Sequence, residues 1–332
     1  MKVNGDKSSR GQHQRTAKLL SIVIPVFNEE KVVGHLAESL MNALESLEYP
    51  FEIIMVDDGS VDRTLEYLLA WQKQESRLVI VKLSRNWGHQ NAYNAGLDIA
   101  QGNAIVFMDG DLEDPPAVIP ELIAAWEQGY DSVYAVKATR YQGYVRRKLT
   151  NTYYWLVKKT NRYGIEPQAG MFSLVDEKVA TVLRQMKESN KSYPNLRSLA
   201  GFKQKGISYA RDARAHGKPK QSLGRLISDG LNSIFSNTYL PIRVFSVVGF
   251  SFTLFFILIG VIVLVVRITG FEFWIFQDIP GTQMILLLIL AFGSLQLTFL
   301  GVLGEYIARI YEESKGRPYY VIEEIHRADS GE

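Results

Sequence analysis

Two runs of carboxylates, Asp57-Asp58-Gly59-Ser60 and Asp109-Gly110-Asp111-Leu112-Glu113-Asp114, each follow directly on a stretch of apolar residues. Carboxylates gathered this closely repel one another, and a hard divalent cation, Mg²⁺ or Mn²⁺, shared with a substrate's phosphates, relieves the repulsion. Residues two apart in an extended segment face the same way, so Asp109, Asp111 and Glu113 converge on one point unless the turn breaks the alternation. An Asp-Gly pair after a strand is also an ordinary turn. Two such clusters at neighbouring strand ends favour a site. The segment Asn86-Trp87-Gly88-His89-Gln90 holds one glycine and no Gly-x-x-x-x-Gly-Lys run, so ATP hydrolysis and dinucleotide redox chemistry have no support. His89 and His216 read as surface or structural residues. With no cysteine in the chain, disulfides, thiolate zinc sites and thiol nucleophiles are excluded.

The elements that must carry these acids alternate. Leu19 to Val26 is a β-branched apolar run that reads as a buried parallel strand, and Val33, Leu36, Leu40, Leu44 and Leu47 then recur at helical spacing. Further strands are expected over Phe51–Val56, Leu78–Leu83, Ala104–Met108 and Asp131–Val136. Helices are expected over Asp62–Gln74, Asn91–Ala100 and Pro116–Trp126, the first capped by Ser60 or Asp62. This is an α/β domain with a mostly parallel sheet, and in such sheets ligands bind beyond the C-terminal strand ends. Both acidic clusters sit at those ends.

The net charge of the 332-residue chain is only +2, which argues against a general nucleic-acid binder, yet the charge is segregated. Between Val136 and Gly164 stand eight Lys/Arg and no acid, among them Lys137, Arg140 and Arg147, interleaved with Tyr144, Tyr153, Tyr154 and Trp155. A basic, aromatic amphipathic helix at about 144–163 suits an anionic membrane surface. Val244–Val266 and Met284–Leu303 contain no charged residue and are long enough to cross a ~30 Å hydrocarbon layer. Arg243 before the first and Arg309, Lys315 and Arg317 after the second put both outer ends on the cytoplasmic side, giving a two-span hairpin. The expected organisation is a disordered tail over 1–17, a catalytic domain over 18–220, an amphipathic juxtamembrane helix over 221–242, two spans within 243–304 and a cytoplasmic C-terminal tail over 305–332.

Ile24-Pro25-Val26-Phe27-Asn28-Glu29-Glu30, Val56-Asp57-Asp58-Gly59-Ser60 and Met108-Asp109-Gly110-Asp111-Leu112-Glu113-Asp114-Pro115-Pro116 together resemble the inverting glycosyltransferases of family 2. Within that family the chain is most similar to polyprenyl-phosphate glycosyltransferases, from about Leu19 to Tyr320. The resemblance implies a GT-A type domain, a nucleotide-sugar donor and an undecaprenyl or related polyprenyl phosphate acceptor. UDP-glucose is the leading donor and GDP-mannose the second. It implies Pro25, Phe27, Glu29 and Asp57 around the nucleotide, Asp109 at the ribose and diphosphate, and Asp111 and Glu113 on the metal. Asp109 and Asp111 are also the candidates for orienting the acceptor.

The acceptor phosphate is assigned to Lys137, Arg140 and Arg147 of the basic stretch and to Arg214 and Lys220. The last two stand in Arg214-Ala-His-Gly-Lys-Pro-Lys220, where the family's Ser is replaced by Pro219. Relatives show Asp-Phe-Arg-Leu where this chain has Met171-Phe172-Ser173-Leu174. A small two-span anchor suggests self-association as a homo-oligomer, with a tetramer among the options. The competing readings are a processive polysaccharide synthase, for which the Gln-x-x-Arg-Trp motif and extra spans are missing, and a non-catalytic membrane scaffold that binds nucleotide-sugar or lipid carrier.

Overall fold

The computed structural model describes residues 19–137, 169–186, 188, 193–209, 240–269 and 281–328. Arg140, Arg147, Arg214 and Lys220 lie outside them, as do the N-terminal tail, the basic helix near 144–163 and the juxtamembrane helix. The chain divides into two units, residues 1–218 with 318–332, and residues 219–317.

The first unit is built on an eight-stranded sheet. Strands β1 (Leu20–Val26), β2 (Phe51–Asp57), β3 (Leu78–Leu83) and β4 (Ala104–Phe107) run parallel in the order β3-β2-β1-β4. Every residue of β1 is buried, as a strand covered on both faces must be. Helix α1 (Val33–Leu44) buries Val33, Leu36, Leu40 and Leu44, the positions its spacing singles out. Each fully buried leucine contributes roughly 1.5–3 kcal/mol of transfer free energy. Helix α2 (Thr64–Gln72) starts where Asp62 accepts the Thr64 N–H at 3.0 Å, and α3 (His89–Ile99) starts two residues before the expected Asn91. A short 3₁₀ turn (Pro116–Val118) precedes α4 (Ile119–Glu127), because two prolines, Pro116 and Pro120, break the regular ladder there.

The expected parallel sheet stops at β4. Strand β6 (Ala169–Asp176) pairs antiparallel with β4, with Phe107 opposite Ser173, and antiparallel with β5 (Ser132–Lys137). Strand β7 (Gln204–Tyr209) forms that edge, parallel to β5. Helices α5 (Glu177–Gln185) and α6 (Tyr193–Leu199) lie between β6 and β7 in the chain. Because β2 and β4 flank β1 on opposite sides, the strand order reverses at β1, which opens a crevice at the carboxyl ends of β1 and β4.

The reading of 305–332 as a tail needs correction. Residues Ile322–His326 form β8, antiparallel to β3, and close the other edge of the sheet. The Ser84 N–H donates to the Val321 carbonyl at 3.0 Å, Lys82 pairs with Glu323 at 3.0 Å, and the Tyr320 hydroxyl donates to Asp98 at 2.5 Å. Gln72 Nε2 bonds the His326 carbonyl at 2.9 Å. A chain ending at Arg317 therefore exposes the β3 edge, and its melting temperature is expected to fall by several degrees, since each 1 kcal/mol lost from a unit this size shifts Tm by roughly 2–4 °C. Equal melting of the truncated and full chains in the same detergent would show that β8 is dispensable.

The second unit contains α7 (Leu240–Thr269) and α8 (Gly281–Ser314), 30 and 34 residues long. Both are long and apolar enough to cross a membrane, with mean hydropathy of 2.5 over Phe245–Ile262 and 1.6 over Leu288–Ser314. Phe245 packs on Phe299 and Phe256 on Phe292, with centroids 5.7 and 4.6 Å apart. Phe250, Leu254, Ile257, Leu297 and Leu300 face outward and uncovered.

Candidate functional site

At the crevice the strand ends meet in register. Val26 is opposite Asp57 across β1 and β2, the Asp58 N–H donates to the Val26 carbonyl at 2.9 Å, and the Met108 N–H to the Val23 carbonyl at 3.1 Å. These bonds bring the β1, β2 and β4 exits together around a cavity of about 410 Å³. Its lining is Pro25, Val26, Phe27 and Glu29 from the β1 exit, Asp58 from β2, Asn86, Gly88 and His89 from the β3–α3 connection, and Asp109, Gly110 and Asp111 from β4. Phe27 is 41% exposed at the rim, a flat apolar face beside carboxylates.

Four of these residues are acids, Glu29, Asp58, Asp109 and Asp111. Among the described lining residues the group able to carry positive charge is His89. Its Nε2 lies 2.8 Å from Asp109 Oδ1, which also accepts the Tyr93 hydroxyl at 2.6 Å. Burial alone pulls the imidazole's pKa down, but the hydrogen bond to Asp109 and the charges of Asp109, Asp111 and Asp58 outweigh it, and the net shift is upward from 6.5. Imidazolium formation is thus favoured in the folded chain. His89 stabilises the fold fully below pH 6.5, and the contribution is lost as pH rises through its raised folded value. In thermal melts from pH 6.5 to about 8 the stability advantage of the wild type over His89→Gln is expected to shrink. A pH-independent difference contradicts the pairing.

Asp57 and Asp58 take different directions, as adjacent strand-end residues must. Asp58 accepts the N–H groups of Trp87 at 2.7 Å and Gly88 at 3.0 Å, fixing the β3–α3 connection to the cavity wall. Burial raises its carboxyl above the ordinary value despite those two bonds. Asp57 is 0% exposed and outside the lining; its Oδ1 accepts the Ser60 N–H at 2.9 Å, while Oδ2 has no hydrogen-bond partner among the described residues. The turn after them requires Gly59, at φ 72° and so close to Arg85 and Asn86 that a Cβ would lie 2.4 Å from the Arg85 carbonyl carbon. Bonded to the same turn, Asn28 also has positive φ, 54°, held by the Val61 N–H on its Oδ1 and by its own N–H on Ser60 Oγ.

The acidic turn after β4 does not keep strand alternation. Leu112 is left-handed, at φ 56°, and the Glu113 N–H folds back onto Asp111 Oδ1 at 2.9 Å. Asp109 and Asp111 therefore line the cavity and Glu113 does not. Among the described residues no three His, Asp or Glu side chains gather as a ready-made metal cage. The fit to a divalent ion is nevertheless good in donor chemistry: Asp111 and Asp109 are hard oxygen donors at an open cavity, where water and substrate phosphate can complete the shell. Positive φ at Leu112 and Asn28, each next in the chain to lining residues, matches the usual location of strain at working sites.

Of the residues singled out in the sequence, the structure brings together Pro25, Phe27, Glu29, Asp109 and Asp111. Lys137 ends β5, outside the described lining. Sequence reasoning missed Asp58 as a lining residue and His89 as the partner of Asp109.

The sequence is similar to proteins of one known family. The model of the family described as glycosyl transferase family 2 matches residues 21–185. The bactoprenol glucosyl transferase of Shigella phage SfII is 33% identical over 93% of this chain and 99% of its own. The undecaprenyl-phosphate 4-deoxy-4-formamido-L-arabinose transferase of Edwardsiella ictaluri is 30% identical over 95% of this chain and 96% of its own. Among solved structures, glucosyl-3-phosphoglycerate synthase of Mycobacterium tuberculosis aligns with TM-score 0.48 and 17% identity, over 67% of this chain and 80% of that one. The family match and relatives covered almost end to end give the assignment: the chain belongs to glycosyl transferase family 2 and is a glycosyltransferase.

Proposed function

We propose that the chain transfers a hexose, with UDP-glucose as the leading donor, to the phosphate of a polyprenyl lipid at a membrane surface. The observation that carries the reading is the pocket itself, an acid-lined cavity at the carboxyl ends of β1, β2 and β4 with an aromatic rim. The two relatives named for bactoprenol and undecaprenyl phosphate support the acceptor class, and the first supports glucose. Phe27 and Pro25 offer the base and ribose an apolar wall. Asp109, held by His89 and Tyr93, faces the diphosphate. A Mg²⁺ or Mn²⁺ ion on Asp111 and Asp109 would neutralise the diphosphate and stabilise charge on it as it leaves.

In the reaction an acceptor phosphate oxygen attacks the sugar's anomeric carbon. The bond from that carbon to the nucleotide's terminal phosphate oxygen breaks, and its electron pair leaves with the nucleoside diphosphate. Attack opposite the leaving group inverts the anomeric carbon, as the family resemblance implies. A phosphate monoester, with a second pKa of ~6, is largely dianionic at pH 7 and needs no base to remove a proton.

The hairpin reading is supported by β8. Residues before 219 and after 317 belong to one folded unit, so α7 and α8 must leave and return on the same side of any bilayer they cross. The cytoplasmic side follows from the Arg and Lys residues flanking the two helices. A panel of nucleotide-sugars, each given to the purified full chain with undecaprenyl phosphate and Mg²⁺ or Mn²⁺, tests the donor. UDP-glucose is expected to give product. Product from GDP-mannose alone transfers the donor assignment to mannose, and no product from any donor removes the reading.

A further inference from the structure

The described pocket lining comes wholly from the β1–β4 half of the sheet, and β5, β6 and β7 contribute none of it. Donor and acceptor must nevertheless meet at one anomeric carbon, so something has to hold the acidic turn in register with the other half. Two buried tyrosine hydroxyls pin that turn from opposite sides. Tyr93 of α3 donates to Asp109 at its start. Tyr209, the last residue of β7, donates to Asp114 at its end. Tyr209 is 6% exposed and Asp114 2% exposed, and the Tyr209 ring stands edge-on to Phe172 of β6, centroids 6.3 Å apart. The turn between the two pins carries the left-handed Leu112, a conformation that relaxes unless its ends are held.

We infer that Tyr209 is a positioning residue whose hydroxyl, through Asp114, sets the acidic turn against the β5–β7 half of the sheet and so aligns the donor sugar with the incoming lipid phosphate. Tyr93, by contrast, serves the donor half alone. The inference rests on the proposed transfer to a lipid phosphate. It adds that the two tyrosines have separable effects. Water attacking the donor needs no alignment with a lipid, so slow donor hydrolysis reads the donor half, and transfer reads both halves.

The full-length chain is assayed in detergent with UDP-glucose, with undecaprenyl phosphate for transfer and without it for hydrolysis, alongside thermal melts. Tyr209→Phe is expected to lower kcat for transfer about tenfold while hydrolysis and donor KM stay within about twofold, the scale of one lost alignment contact. Tyr93→Phe is expected to lower both rates together. Asp114→Asn keeps an acceptor oxygen for the Tyr209 hydroxyl and should retain a near wild-type transfer-to-hydrolysis ratio, whereas Asp114→Ala should match Tyr209→Phe. An unchanged ratio in Tyr209→Phe, from a wild type that transfers, overturns the inference and leaves the functional reading standing. A proportional fall in both rates reduces Tyr209 to a folding role and overturns it equally. A wild type that hydrolyses UDP-glucose but never glycosylates the lipid phosphate overturns the functional reading, and the inference with it.

Discussion

Asp111→Ala is expected to lower the rate of sugar transfer by about 10²–10³-fold while the chain still folds, the range for one preorganised electrostatic group removed from a site that stabilises a leaving anion. The asymmetry follows from where Asp111 sits. It is exposed at the cavity, and its Oδ1 accepts a hydrogen bond from the Glu113 N–H. Losing that bond costs the fold about 1 kcal/mol. The proposed duty toward the donor's diphosphate and its metal is larger, because two anions must approach each other in a partly desolvated pocket. Measured with saturating UDP-glucose and undecaprenyl phosphate, the loss should fall on kcat, with the melting temperature close to wild type. Transfer at an undiminished rate contradicts the role given to Asp111 and favours a scaffold reading.

Gly110→Ala is expected to reduce kcat by about tenfold to a hundredfold, the sensitivity of reacting groups to displacements approaching 1 Å. A Cβ on Gly110 would lie 2.8 Å from Val26 Cγ1 and 2.9 Å from the Pro25 carbonyl oxygen. The second contact is backbone and cannot rotate away, so the acidic turn must lift off the β1 exit. Overpacking of this kind costs about 1–3 kcal/mol. Pro25 and Asp109 line the same cavity, so the lift changes the pocket where donor and acceptor meet. Donor binding and kcat measured on the folded variant check this. Wild-type kinetics would mean that the β1–β4 gap is not part of the working geometry.

Much of this site was legible in the residues. The all-apolar β1 and the acids that follow β2 and β4 identify a parallel sheet with its ligands at the carboxyl edge, since burial on both faces leaves no other pattern. The two apolar helices were equally plain. Three features were not. Asp57 and Asp58 are adjacent acids at a strand end, and the parity that buries one and presents the other is set by pairing with Val26. His89 and Asp109 are 20 positions apart and meet because α3 begins beside the β4 exit, a proximity that no local spacing encodes. Strand β8 has mostly exposed residues, so periodicity carried no signal; it exists because the β3 edge needed a partner. Glu113 was lost to the same kind of local event, a left-handed Leu112 within an apparently regular Asp-x-Asp-x-Glu run.

The central claim is that the acidic pocket delivers its sugar to a phosphate and not to a hydroxyl. Purified full-length chain, loaded with labelled UDP-glucose and a divalent ion, can be offered undecaprenyl phosphate in parallel with undecaprenol, the same lipid lacking the phosphate. The account predicts label on the phosphate lipid alone, with UDP released in equal amount. Label on the alcohol at a comparable rate would contradict it.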